Sequence, residues 1–146
     1  MTNVPVILHE RLGNWVRQLR PRLHDLPIRL IETRTRGDLD VILTGLASPV
    51  VLIDLGKHVS NGLLDLDLVL TRAPDAFVLV NNPESNPEVA ALARELGATH
   101  VLSGFVPPPD VAGLLLRWIV LARRQIEHHG WSRTSEPELN HTEDLS

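Results

Sequence analysis

The chain has 146 residues, 43% of them apolar and 22% charged, which describes one globular domain with a real core rather than a disordered or membrane-embedded chain. A net charge of −4 argues against nucleic-acid binding, and the absence of cysteine excludes a disulfide framework or a thiolate metal site. No apolar stretch is long enough to span a bilayer, and no basic segment precedes the first apolar run, so neither a membrane nor a signal peptide is expected; the cytoplasm is the expected compartment.

Residues 4–8, Val-Pro-Val-Ile-Leu, read as a first strand. Leu12, Trp15, Val16 and Leu19 then share one helical face, with Pro21 expected to end or kink the helix. Residues 28–33 alternate as a strand towards one edge of a sheet. Asp38 is the expected cap of a second helix carrying Leu39, Ile42, Leu43 and Leu46. Ser48-Pro49 breaks that helix before the apolar run Val50-Val51-Leu52-Ile53, which ends on Asp54.

Residues 56–61 suit a mobile loop, and 63–72 a third helix. Residues 76–80 read as a strand stopped by the turn signal Asn81-Asn82-Pro83. Pro87 opens a fourth helix that Gly97 closes. Residues 99–105 give a fifth strand, and Asp110 to about Glu127 the last helix. Five β/α units in alternation predict an α/β fold with a doubly wound, five-stranded parallel sheet over residues 3–127. Residues 128–146 lose the apolar periodicity and predict a flexible acidic tail.

In such a sheet a carboxylate at the carboxyl end of a buried strand stands where chemistry is placed, which makes Asp54 the leading candidate residue. Val51-Leu52-Ile53-Asp54-Leu55, with Asn61-Gly62-Leu63, and the run Ala93 to Leu102 carry a resemblance to a known family. The chain resembles the receiver domain of bacterial response regulators, a flavodoxin-like (βα)5 fold, over about residues 4–124. The resemblance implies that Asp54 is the phosphoacceptor position, served by a histidine kinase, and that Mg2+ is held by acidic residues after the first strand. His9-Glu10 stands there, so Glu10 and Asp54 are the candidate Mg2+ ligands. The switch hydroxyl aligns with Asn81 or Asn82, taken as Asn82, and the family's lysine with Gly104, where its charge is lost. His58 replaces a proline in the loop after Asp54.

One match and several losses describe a degenerate receiver: not an enzyme, without a cofactor apart from possible Mg2+, and acting through protein contact or dimerisation. The plainer reading of Asp54 is a strand-end carboxylate bonded to loop amides. Two rival functions remain, an active stand-alone receiver phosphorylated on Asp54 and a flavodoxin-like small-molecule binder, although the loop from His9 to Gly13 is bulky and charged rather than Gly-rich. For contact the last helix is the candidate, because Leu116, Val120 and Leu121 widen its apolar stripe. Arg94, Arg117, Arg123 and Arg124 would frame a surface there for a partner or a second copy.

Overall fold

A computed structural model describes the backbone of residues 3–141 and the side chains of residues 3–128. In chain order the elements are β1 (Val4–His9), α1 (Asn14–Leu23), β2 (Ile28–Thr33), α2 (Arg36–Leu43), β3 (Val50–Asp54), α3 (Val59–Arg72), β4 (Phe77–Asn82), α4 (Pro87–Glu95), β5 (His100–Ser103) and α5 (Pro108–His141). The strands are parallel in the order β2-β1-β3-β4-β5, the doubly wound sheet expected, with β2 at an edge. No helix among the described residues is long and apolar enough to cross a membrane.

Side chains on a strand alternate between faces, and this parity sorts the molecule into two cores. Val4, Val6 and Leu8 of β1, with Val50, Leu52 and Leu79, pack under α1 and α5 against Leu19, Leu115, Trp118 and Ile119. Ile7, Val51, Ile53, Val78 and Val80 face the other way, against Leu39 of α2, Leu66 of α3 and Ala90 and Ala93 of α4. The central strands are buried on both sides, which is why they read as continuous apolar runs.

Several boundaries differ from the sequence expectation. Helix α1 passes through Pro21, whose missing N–H falls in the last turn, where only two residues follow it. Leu12 precedes that helix and is largely exposed, so it does not belong to the apolar face. Thr35, not Asp38, caps α2: its hydroxyl accepts from the Asp38 amide, and Asp38 occupies the first turn. Half of the expected mobile loop is helical, because α3 begins at Val59. Strand β4 continues through Asn81 and Asn82, and β5 ends at Ser103, leaving Phe105 exposed.

Helix α5 does not stop near Glu127 but continues to His141, across most of the stretch expected as a flexible tail. A rise of about 1.5 Å per residue makes it far longer than the strands it covers, so the end of the apolar stripe marks the loss of a packing partner rather than of helix. Residues 142–146 of that expected tail lie outside the described residues.

Candidate functional site

Strand parity decides what meets what at the carboxyl edge. Asp54 follows Leu52 onto the α1 side of the sheet, and its register partner on β4 is Asn81. Asn81 Nδ2 donates to Asp54 Oδ2 at 3.2 Å. The Trp15 indole Nε1 donates to the same oxygen at 2.7 Å, and the Gly56 amide donates to Oδ1 at 2.9 Å. Both oxygens of the carboxylate are thus held by neutral donors. Turning the Asn81 amide over would set its oxygen against the carboxylate, which fixes its orientation.

Glu10 leaves β1 towards the same side and lines the cleft, but its carboxylate oxygens are bound to α1. Gly13, at φ 75°, precedes the helix with no side chain to cap it. Glu10 fills that role: the Trp15 amide donates to Oε1 at 2.8 Å and the Val16 amide to Oε2 at 2.9 Å. A buried carboxylate on two unpaired amides at a helix N-terminus is stabilised by both the hydrogen bonds and the dipole. Glu10→Ala is therefore expected to cost about 1–2 kcal/mol in urea denaturation, with Glu10→Gln, which keeps one acceptor, losing less. Trp15 links the two acidic residues, giving its backbone N–H to Glu10 and its indole N–H to Asp54.

Magnesium takes about six oxygen ligands in a near-ideal octahedron. Glu10 and Asp54 do not fit that demand as they stand. One carboxylate is committed to α1, and the other has both oxygens engaged by N–H donors. No group of three or more histidine or acidic side chains among the described residues is arranged to hold a metal.

Opposite parity sends His9 to the other face, where α3 meets it. His9 Nε2 donates to Asp65 Oδ2 at 2.7 Å, and the Thr33 hydroxyl bonds Nδ1 at 2.8 Å. Asp65 Oδ1 accepts from Arg36 Nε at 2.6 Å. His9, Thr33 and Asp65 are all buried, so this chain ties β1, β2, α2 and α3 together beneath the crevice. Burial alone would raise the Asp65 pKa, but the hydrogen bonds and charges of His9 and Arg36 outweigh it and hold the group below its ordinary 3.8.

The remaining sequence candidates fall as follows. Asn82, taken as the switch position, points away from Asp54 and donates to the Asn86 carbonyl at 3.0 Å; Asn81 is the residue that reaches the carboxylate. Gly104 sits at φ 80° just past β5 and gives its amide to the Asn82 carbonyl. A Cβ there would come within 2.8 Å of Ser85 Oγ, so the turn itself accounts for a glycine. Arg94, Leu116, Arg117, Val120 and Arg124 are all exposed, Leu116 at 41% and Val120 at 45%.

The sequence reading missed the Trp15 contact and the His9–Asp65 network. Asp65 did carry a signal, since it sits one residue from Leu66 and four from Val69 on the buried face of α3. A charge on such a face requires a partner.

No protein-family model matches this chain, and comparison with curated proteins gives no match. Solved structures do match. A CheY-like response regulator receiver domain from Methanospirillum hungatei superposes with a TM-score of 0.72 at 11% identity, over 85% of this chain and 99% of that one. A response regulator from Burkholderia pseudomallei, solved with a phosphorylated aspartic acid, a calcium ion and citrate, gives 0.67 at 14% identity, over 94% and 87%. A CheY-like protein, TadZ, from Pseudomonas aeruginosa gives 0.63 at 16% identity, over 80% and 99%. The fold is that of response regulator receiver domains.

Proposed function

We propose that this receiver-fold chain is a signalling module that works by protein contact and does not carry out phosphoryl transfer. The observation supporting this reading is the engagement of both Asp54 oxygens by N–H donors of the fold. Phosphoryl transfer to a carboxylate needs a free in-line oxygen, a cation on the transferred group and donors to its oxygens. The B. pseudomallei neighbour carries a phosphorylated aspartic acid and a calcium ion. Here the Asp54 oxygens are engaged by Trp15, Asn81 and Gly56, Glu10 is engaged by α1, and a glycine in a tight turn stands in place of the lysine.

The contact surface we assign is the outer face of α5. Leu116 and Val120 make one exposed row, and Arg117, Leu121 and Arg124 make the next. Arg117 and Arg124 form no ion pair among the described residues, and neither does Arg94 on α4. Cations flanking an apolar row favour a partner with an acidic rim.

Intact-mass measurement after incubation with Mg2+ and acetyl phosphate tests the first half of this reading. The expected result is no gain of a phosphoryl group while a conventional receiver labels in parallel; a labile gain, absent in Asp54→Asn, would reverse it. Light scattering tests the second half. The isolated chain is expected to be monomeric, and a dimer broken by Leu116→Glu or Val120→Glu would assign the α5 face to a second copy.

A further inference from the structure

The carboxyl edge of the sheet carries a two-lobed crevice whose lobes meet at Asp54. The smaller lobe, about 240 Å³, lies beside β2 and is lined by Arg11, Arg34 and Arg36 together with Asp65 and Asn61. The larger, about 620 Å³, lies beside β4 and has Leu12, Leu55 and Pro83 in its wall. Chain connections leave β1 and β3 in opposite directions here, the switch point at which open α/β sheets bind ligands.

Each carboxylate of the smaller lobe already has hydrogen-bond partners within the fold. Asp65 is bound by Arg36 and His9, Glu10 lies on the N-terminus of α1, and Asp54 accepts three neutral N–H groups. The guanidiniums are anchored without being used up. Arg34 gives one terminal nitrogen to the Arg11 carbonyl and the other to Glu32, which leaves its Nε–H. Arg36 gives Nε to Asp65 and Nη2 to Asn61, which leaves Nη1. The Arg11 guanidinium has no partner among the described residues. Guanidinium groups fixed by their own bonds, with N–H donors still to give, are suited to a tetrahedral oxyanion.

We propose that this crevice binds a small organic phosphate non-covalently, with the phosphoryl head among Arg11, Arg34 and Arg36 and an apolar body over Leu12, Leu55 and Pro83. Such a ligand would bridge the loops that follow β1, β2, β3 and β4 and so give the module an input other than phosphorylation. The inference is independent of the contact function, and one variant separates non-covalent binding from phosphorylation of Asp54. Covalent labelling requires the Asp54 carboxylate, whereas non-covalent binding is tightened when Asp54→Asn removes a negative charge between the two lobes.

Titration calorimetry on the full chain at low salt tests this, with AMP, inorganic phosphate and adenosine as probes. Saturable binding is expected for AMP and, more weakly, for inorganic phosphate, with the two competing and adenosine inert. Arg11→Gln is expected to weaken both anions roughly tenfold, the effect of losing one charge-assisted contact. Its melting temperature should stay unchanged, because Arg11 supports nothing else in the fold. Added salt should weaken binding as well. Failure of both anions to bind at millimolar concentration, or binding indifferent to Arg11→Gln, would overturn the assignment.

Discussion

Asp65→Ala is expected to destabilise the protein by about 3 kcal/mol, the low end of the cost of breaking a buried ion pair from one side. The variant strands two partners at once: His9, buried between β1 and α3, and the Arg36 guanidinium, part of which can turn to solvent. For a domain of this size that corresponds to a fall of roughly 10 °C in melting temperature. Asp65→Asn, which keeps an acceptor and the shape, should lose clearly less. A loss well below 1 kcal/mol in Asp65→Ala, at unchanged denaturant slope, would mean that the network contributes little.

The same carboxyl sets a pH signature. Its folded pKa lies below the unfolded value near 3.8, so the unfolded chain takes up the proton first as pH falls. Its contribution is complete above that value and disappears as pH drops through the folded pKa. Acid titration of stability should therefore fall less steeply in Asp65→Asn than in wild type below about pH 4.

Asp54→Ala is expected to cost about 2–3 kcal/mol, because it leaves the Trp15 indole, the Asn81 amide and the Gly56 N–H without their acceptor. The sign matters more than the size. A carboxylate crowded by other uncompensated carboxylates would be strained, and removing it would stabilise the fold. Here Glu10 is matched by α1, and Asp54 is surrounded by donors. Loss of stability on removal supports a structural Asp54; a gain measured by thermal or urea unfolding would point to an acidic centre held ready for a cation or phosphate.

Much of the fold was legible because it rests on local signals. Ile28–Thr33 and Val50–Asp54 fall where alternation and β-branching placed them, and Asn86 with Pro87 opens α4 as the first-turn rule requires. Elements were misjudged where propensity and packing disagree. Val59-Ser60-Asn61-Gly62 is a poor helical sequence, yet it forms the first turn of α3 because Gly62 lets the helix lie directly against Leu55. Asn81 and Asn82 look like a turn but continue β4, since their backbone has β3 and β5 to pair with.

The site was less legible than the fold. Asp54 could be located from the strand it ends. Trp15, in contrast, was read as part of an apolar stripe, and only the register of β1 and β3 beside α1 shows that its indole nitrogen reaches a carboxylate. His9 and Asp65 are 56 residues apart, and no local pattern links them. Which of two adjacent residues faces which side of the sheet settles both cases. His9 and Glu10 go to opposite faces, as do Asn81 and Asn82, and a sequence shows that parity only once its strands are aligned.

The Trp15–Asp54 hydrogen bond also makes the site directly observable by spectroscopy. An indole proton shared with a carboxylate is deshielded, and the chain has three tryptophans, so its resonance can be assigned by a single substitution. Anything that takes the Asp54 oxygen away from Trp15, whether a cation, a covalent phosphate or a neighbouring anion that draws the loop aside, must move that one signal. The occupancy of the crevice can thus be followed in the intact, unlabelled protein at one proton.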